Sequence, residues 1–312
     1  MLRLLRSRRL RRPFSQRQPF AVLLGALSLL LIGVSADAVW AEKPRYAITI
    51  ERALSGMAST GISEPADLLL KQGAWKHYQR KPFHFFYRSS AHLRAVSGRA
   101  HKLASMIRTT LNQEGRVADK VTRINVFLVD GLTWECYFGS HISGFADPEH
   151  GEVFVNMDLG SRSSAVFTHE LAHALLHQKS CQCEVPRWLD EGFAMQASGI
   201  YHGGSEIDGL SGQARSLISQ GFFIPLRDLM RMTEYPDNEA QRFVFYYESE
   251  FTFLLLKRFF GRASTGPIVR SFAFNRNRPL EAQFENLLQS THASRVKSFA
   301  EFEKRWKREL GF

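Results

Sequence analysis

The sequence predicts an α+β fold: a small N-terminal mixed sheet with helices, followed by an all-helical C-terminal lobe. Three observations predict it. Before Ser161 lie three strand-like runs, Phe83–Tyr87, Ile124–Val129 and 152–157. After it, nearly every segment to Phe312 has helical spacing and is bounded by Gly or Pro. The composition, 44% hydrophobic and 23% charged over 312 residues, suits a globular chain of one or two domains with a sizeable core. It excludes a disordered, a collagen-like and a polytopic membrane chain.

Residues 1–41 read as an address. Seven Arg and no acid occupy residues 1–18, an apolar run covers 20–34, and small residues follow at Ala36-Asp37-Ala38 and Val39-Trp40-Ala41. That order describes a signal peptide cut after Ala38 or Ala41. The apolar run is short for a membrane span. Uncleaved, residues 20–36 would anchor the chain to the inner membrane, with 42–312 outside the cytoplasm by the positive-inside rule. Either way the expected location is extracytoplasmic, periplasmic or secreted. The segment's seven Arg and one Asp hold +6 of the formal charge of +11, leaving +5 on the remainder. The basic balance is therefore mostly targeting, and nucleic acid is not an expected partner.

Export also bears on Cys136, Cys181 and Cys183. In an oxidising compartment Cys136 could pair with Cys181 or Cys183, and three unpaired thiols are the alternative.

Residues 42–81 read as an N-terminal extension with one short helix at 66–70. Phe83–Tyr87 is aromatic-rich and reads as a strand. A long helix follows at 92–111. Ile124–Val129 reads as a buried strand ended by Asp130-Gly131, and 152–157 alternates as a half-exposed strand. Helices are expected at 164–178, Arg187–Ser198, Glu239–Phe260, 267–274, 280–288 and Phe299–Leu310. Phe243, Phe245, Phe251, Phe253, Phe259 and Phe260 read as core. Lys304, Arg305, Lys307 and Arg308 read as a solvated helix face.

The sharpest signal is His169-Glu170-Leu171-Ala172-His173. Apolar neighbours make this stretch a helix, where positions i and i+4 share a face. Two imidazoles so placed can reach one Zn2+, and Glu170 can overhang it as a general base. A third ligand is needed. Leu176 and Lys179 occupy the positions where a metzincin has its Gly and third His, and His177 is too far along the axis, so it reads as structural or supporting. The following helix, begun by Pro186, offers Glu191 within Trp188-Leu189-Asp190-Glu191-Gly192-Phe193-Ala194. His141 and His150 precede the motif in loops and read as ordinary surface residues or as lining of a cleft.

Together these two stretches resemble the gluzincins, and in particular the peptidase MA-like domains of exported bacterial proteins. The resemblance covers 82–312. It implies a zincin-like fold with the active-site helix at the seam of the two lobes, and a zinc endopeptidase holding its ion on His169, His173 and Glu191. Glu170 is then the base for a zinc-activated water, and a peptide or protein the substrate. Gly144-Phe145-Ala146-Asp147-Pro148, followed by Glu152, resembles the family's edge strand beside the cleft. Tyr246-Tyr247-Glu248-Ser249 resembles its downstream helix, and implies Tyr246, with Tyr247 as rival, as the oxyanion donor. The sequence departs where better-known relatives carry Asp four residues after the ligand Glu. That position is Met195, so support for a ligand must come from elsewhere; Asp190 is a candidate, and the alternative is that it only favours the helix N-terminus. No signature of an exopeptidase is present. The alternative from another class is a zinc-stabilised, non-catalytic binding module of the cell envelope.

Overall fold

A computed structural model describes residues 62–72, 74–111, 123–140, 142–179, 185–199, 212–273, 275, 277–291 and 295–312. The segment 1–61, with the expected signal or anchor, lies outside them, as do His141, Cys181 and Cys183. Among the described residues no helix is long and apolar enough to cross a membrane.

The first half is built on five strands: β1 (Lys76–Arg80), β2 (Phe83–Tyr87), β3 (Ile124–Val129), β4 (Gly144–Asp147) and β5 (Glu152–Asn156). Their order is β1-β2-β3-β5-β4. The inner pairs β2–β3 and β3–β5 are parallel, and the outer pairs β1–β2 and β4–β5 are antiparallel. Helices α1 (Glu64–Lys71), α2 (Ser90–Leu111) and α3 (Gly131–Phe138) are interspersed. Then come α4 (Ser163–Lys179), α5 (Arg187–Ser198), α6 (Gly212–Leu217), α7 (Leu226–Leu229), α8 (Glu239–Phe260), α9 (Thr265–Ala273), α10 (Leu280–Ser290) and α11 (Phe299–Leu310), with no further strand among the described residues. The architecture is α+β and mostly helical.

Strand register is set by a row of aromatic rings. Phe86, Phe127, Phe154 and Phe145 are direct cross-strand partners on β2, β3, β5 and β4. Successive ring centroids stand 4.9, 4.8 and 4.4 Å apart, nearly coplanar in orientation. Such pairs stabilise a sheet beyond simple area burial. On this face Ala66 and Leu69 of α1 and Trp134 and Phe138 of α3 complete a closed core. The opposite face receives α2 and α4.

Three features depart from expectation. The strand at 152–157 is buried rather than half-exposed, because α1 covers the face that alternation would give to solvent. Its polar residue Glu152 meets Ser63, the N-cap of α1, which donates its backbone N–H (3.2 Å) and its hydroxyl. Residues 76–80 form β1, an edge strand exposed on both faces, with no alternation to reveal it. Finally, Asp130-Gly131 ends β3 as expected but also starts α3, with Asp130 capping the Thr133 N–H.

The second half packs around α8, which lies against α5. All six phenylalanines expected in the core are buried. Helix α11 buries Phe302, Trp306 and Leu310, and Trp306 donates to Thr252 of α8 at 2.9 Å. Its basic residues face outward, and Arg305 pairs with Glu301 at 2.7 Å.

Two close approaches fix α4 and α5. A Cβ at Gly144 would stand 2.6 Å from Val166 and 3.0 Å from the Glu170 Cγ, so glycine lets β4 lie directly on α4. A Cβ at Gly192 would stand 2.5 Å from the Ser249 carbonyl oxygen and 3.0 Å from the Phe253 Cβ, so glycine lets α5 touch the α8 backbone. Gly192→Ala is expected to cost about 1–3 kcal/mol by forcing these helices apart. Urea denaturation measures it, and a loss below about 0.5 kcal/mol would show that the contact yields freely.

Candidate metal centre

From Val166 to Leu176 every residue of α4 is buried. The helix is enclosed by the sheet, α2 and α5. Its polar residues His169, Glu170 and His173 therefore cannot be solvated by bulk water, and must be compensated within the protein. Helix α5 supplies Asp190 and Glu191, both buried, from its first turns.

The side chains converge. His169 Nε2 and His173 Nε2 are 3.1 Å apart. The Glu191 Oε2 atom stands 3.4 Å from the first and 3.7 Å from the second. Among the described residues this is the one group of three or more His, Cys, Asp or Glu so arranged. For metal–ligand bonds of about 2.0–2.1 Å, tetrahedral ligands stand about 3.3–3.4 Å from one another. Glu191 Oε2 has no hydrogen-bond partner among the described residues, although it is fully buried. A carboxylate oxygen left so, facing two imidazole nitrogens, fits a small divalent cation.

Asp190 holds two histidines of α4. Its Oδ1 lies 2.7 Å from His173 Nδ1 and its Oδ2 2.9 Å from His177 Nε2. A carboxylate on Nδ1 fixes the ring and turns Nε2 toward the metal position. The same carboxylate gives His177 a place one turn along α4. His169 has no such support: its Nδ1 lacks a partner among the described residues.

Without an ion the charges show how strongly the site favours a cation. Burial opposes a charged His173, but Asp190 and Glu191 outweigh it and raise the pKa to about 10. Burial alone would raise Asp190, yet His173 and His177 hold it well below the usual carboxylate range. Burial opposes a charged Glu191 too, but His173 and His169 together outweigh it and lower its pKa. Glu170 goes the other way. Burial pushes its pKa to about 7, and neither carboxylate oxygen has a hydrogen-bond partner among the described residues. A divalent ion would displace the proton from His173 and lie beside the unpartnered Glu170 carboxylate.

Tyr246 is buried on α8, as is Tyr247. Tyr235, which the sequence did not single out, donates from its hydroxyl to Glu191 Oε1. The Tyr246 ring lies 5.8 Å from the Tyr235 ring. Tyr235 sits in the loop before α8, where no periodicity marks it. His150 turns onto Asp147, 2.8 Å away, at the end of β4. Cys136 is exposed on α3 and in no disulfide among the described residues, and the cysteines suggested as its partners lie outside them.

No protein-family model matches the chain, and no curated protein does.

Asp190→Asn is expected to keep the fold and weaken Co2+ binding about 10–100-fold, as loss of a ligand's carboxylate support does. Competition with a chelator measures it. Unchanged affinity would mean that the Asp190–His173 contact does not orient the ligand.

Proposed function

We propose that this protein is an extracytoplasmic zinc peptidase of the gluzincin kind, with a zincin-like fold, acting on peptides or proteins. The single observation that carries the reading is the buried triangle of His169 Nε2, His173 Nε2 and Glu191 Oε2, with an unpartnered carboxylate, Glu170, beside it on the same helix. Two imidazoles and one carboxylate, with no thiolate, are a donor set that suits a catalytic zinc site with an open position. The chemistry such an ion supplies is Lewis acidity toward a water and a carbonyl oxygen.

The chain's own residues do the rest. Glu170 accepts a proton from the attacking water on a carboxylate oxygen and delivers it to the nitrogen of the leaving amine. The surrounding apolar side chains of α4 exclude bulk water, which strengthens each of these interactions. Strand β4 is the sheet edge that lies over Glu170 at Gly144. Its outer edge, paired with no further strand among the described residues, suits an extended substrate backbone, which would be held by main-chain hydrogen bonds across Glu170. Tyr246, buried beside Tyr235, is the proposed donor to the oxyanion.

The test is cleavage of a mixed peptide library by the zinc-loaded protein beside Glu170→Gln prepared in the same way. Wild type is expected to cleave, and Glu170→Gln to retain zinc and lose at least about 100-fold in rate. Equal cleavage by both would refute the assignment of Glu170. Zinc binding without cleavage by either would favour a binding module built on the same site.

A further inference from the structure

Glu191 has two carboxylate oxygens, and the structure treats them differently. Oε2 faces the two histidines without a hydrogen bond. Oε1 accepts from the Tyr235 hydroxyl. A carboxylate free at both oxygens can bind a metal through one or both, and the second mode occupies a further coordination position. From this division of the two oxygens we infer that Tyr235 is a positioning residue that restricts Glu191 to one metal bond, through Oε2, and so keeps a coordination position open.

The surroundings of Tyr235 are built to hold it there. The Arg187 guanidinium lies over its ring, 5.1 Å from the centroid, and donates from Nε to the Thr233 carbonyl at 3.2 Å. Arg187 stands one helical turn before Glu191 on α5, so the ligand helix itself grips the tyrosine's loop. From the other side, Phe245 of α8 meets the ring edge-on at 5.5 Å, and Tyr246 lies beside it. Helices α5 and α8 are locked together at Gly192, so the distance between the ring's support and the ligand is fixed. A tyrosine is suited to this role. At neutral pH it is a neutral donor, so it occupies one oxygen without cancelling the carboxylate's charge.

The inference rests on the metal-centre reading, and the test separates the two. Wild type, Tyr235→Phe and Tyr235→His are loaded with Co2+, and their visible spectra and chelator-competition affinities are compared. Wild type is expected to show the intense bands of four-coordinate Co2+. Tyr235→Phe keeps the ring and its contacts but lacks the donor. It is expected to show weaker bands, as Glu191 binds through both oxygens and coordination number rises, with affinity changed about 10-fold. Tyr235→His restores an N–H donor and is expected to move the spectrum back toward wild type. If Tyr235→Phe does not fold, Tyr235→Leu, which also lacks a donor, takes its place: weaker bands than wild type support the role, and an unchanged spectrum would overturn it. A Tyr235→Phe spectrum and affinity identical to wild type would overturn the inference while leaving the metal centre intact. A wild type that binds no Co2+ would overturn both.

Discussion

Five ionisable side chains, His169, Glu170, His173, Asp190 and Glu191, are buried together where α4 meets α5. Three are carboxylates, and their charge cannot be shared with bulk water. Burying even one unpaired charge costs several kcal/mol, so this cluster needs positive charge supplied from somewhere. Part of it comes from His173, whose protonated form Asp190 and Glu191 favour against burial, raising its pKa to about 10. A divalent cation supplies it more completely, and it also gives the unpartnered Glu191 Oε2 something to bind. The rest of the structure can be understood as the means of keeping these groups together in spite of their desolvation.

Those means are spread through the fold. The aromatic row Phe86-Phe127-Phe154-Phe145 fixes strand register, and with it the position of β4 over α4. Gly144 lets that strand reach Glu170, and Gly192 lets α5 reach α8. Around the ligands is a second layer of support: Asp190 with His177 on one histidine, and Tyr235 with Arg187 on the glutamate. His169 alone has no such partner among the described residues, so its orientation depends on how tightly α4 is enclosed.

Much of this was legible in the sequence, and the exceptions have physical causes. Spacing alone placed His169 and His173 on one helix face, and the Pro186 start placed Glu191 early on the next helix. Helices α5, α8 and α11 have the expected bounds because a proline, an asparagine cap and a serine cap begin them. Strand β1 was hidden because both its faces are exposed, so its membership comes only from register with β2. Burial on both sides of β5 was hidden because its cover, α1, is a partner 89 residues away, at Ser63 and Glu152. Tyr235 was hidden for the same reason. It stands 44 residues from Glu191 in a loop, and only the tertiary fold brings its hydroxyl to the carboxylate.

The central claim is that His169, His173 and Glu191 form a metal centre. X-ray absorption at the zinc edge, on the protein loaded with one equivalent of Zn2+, tests it most directly. The account requires two imidazole rings and oxygen ligands at about 2.0–2.1 Å, four neighbours in all, and no sulfur. A sulfur shell at about 2.3 Å would place the ion on cysteine instead, and would contradict it.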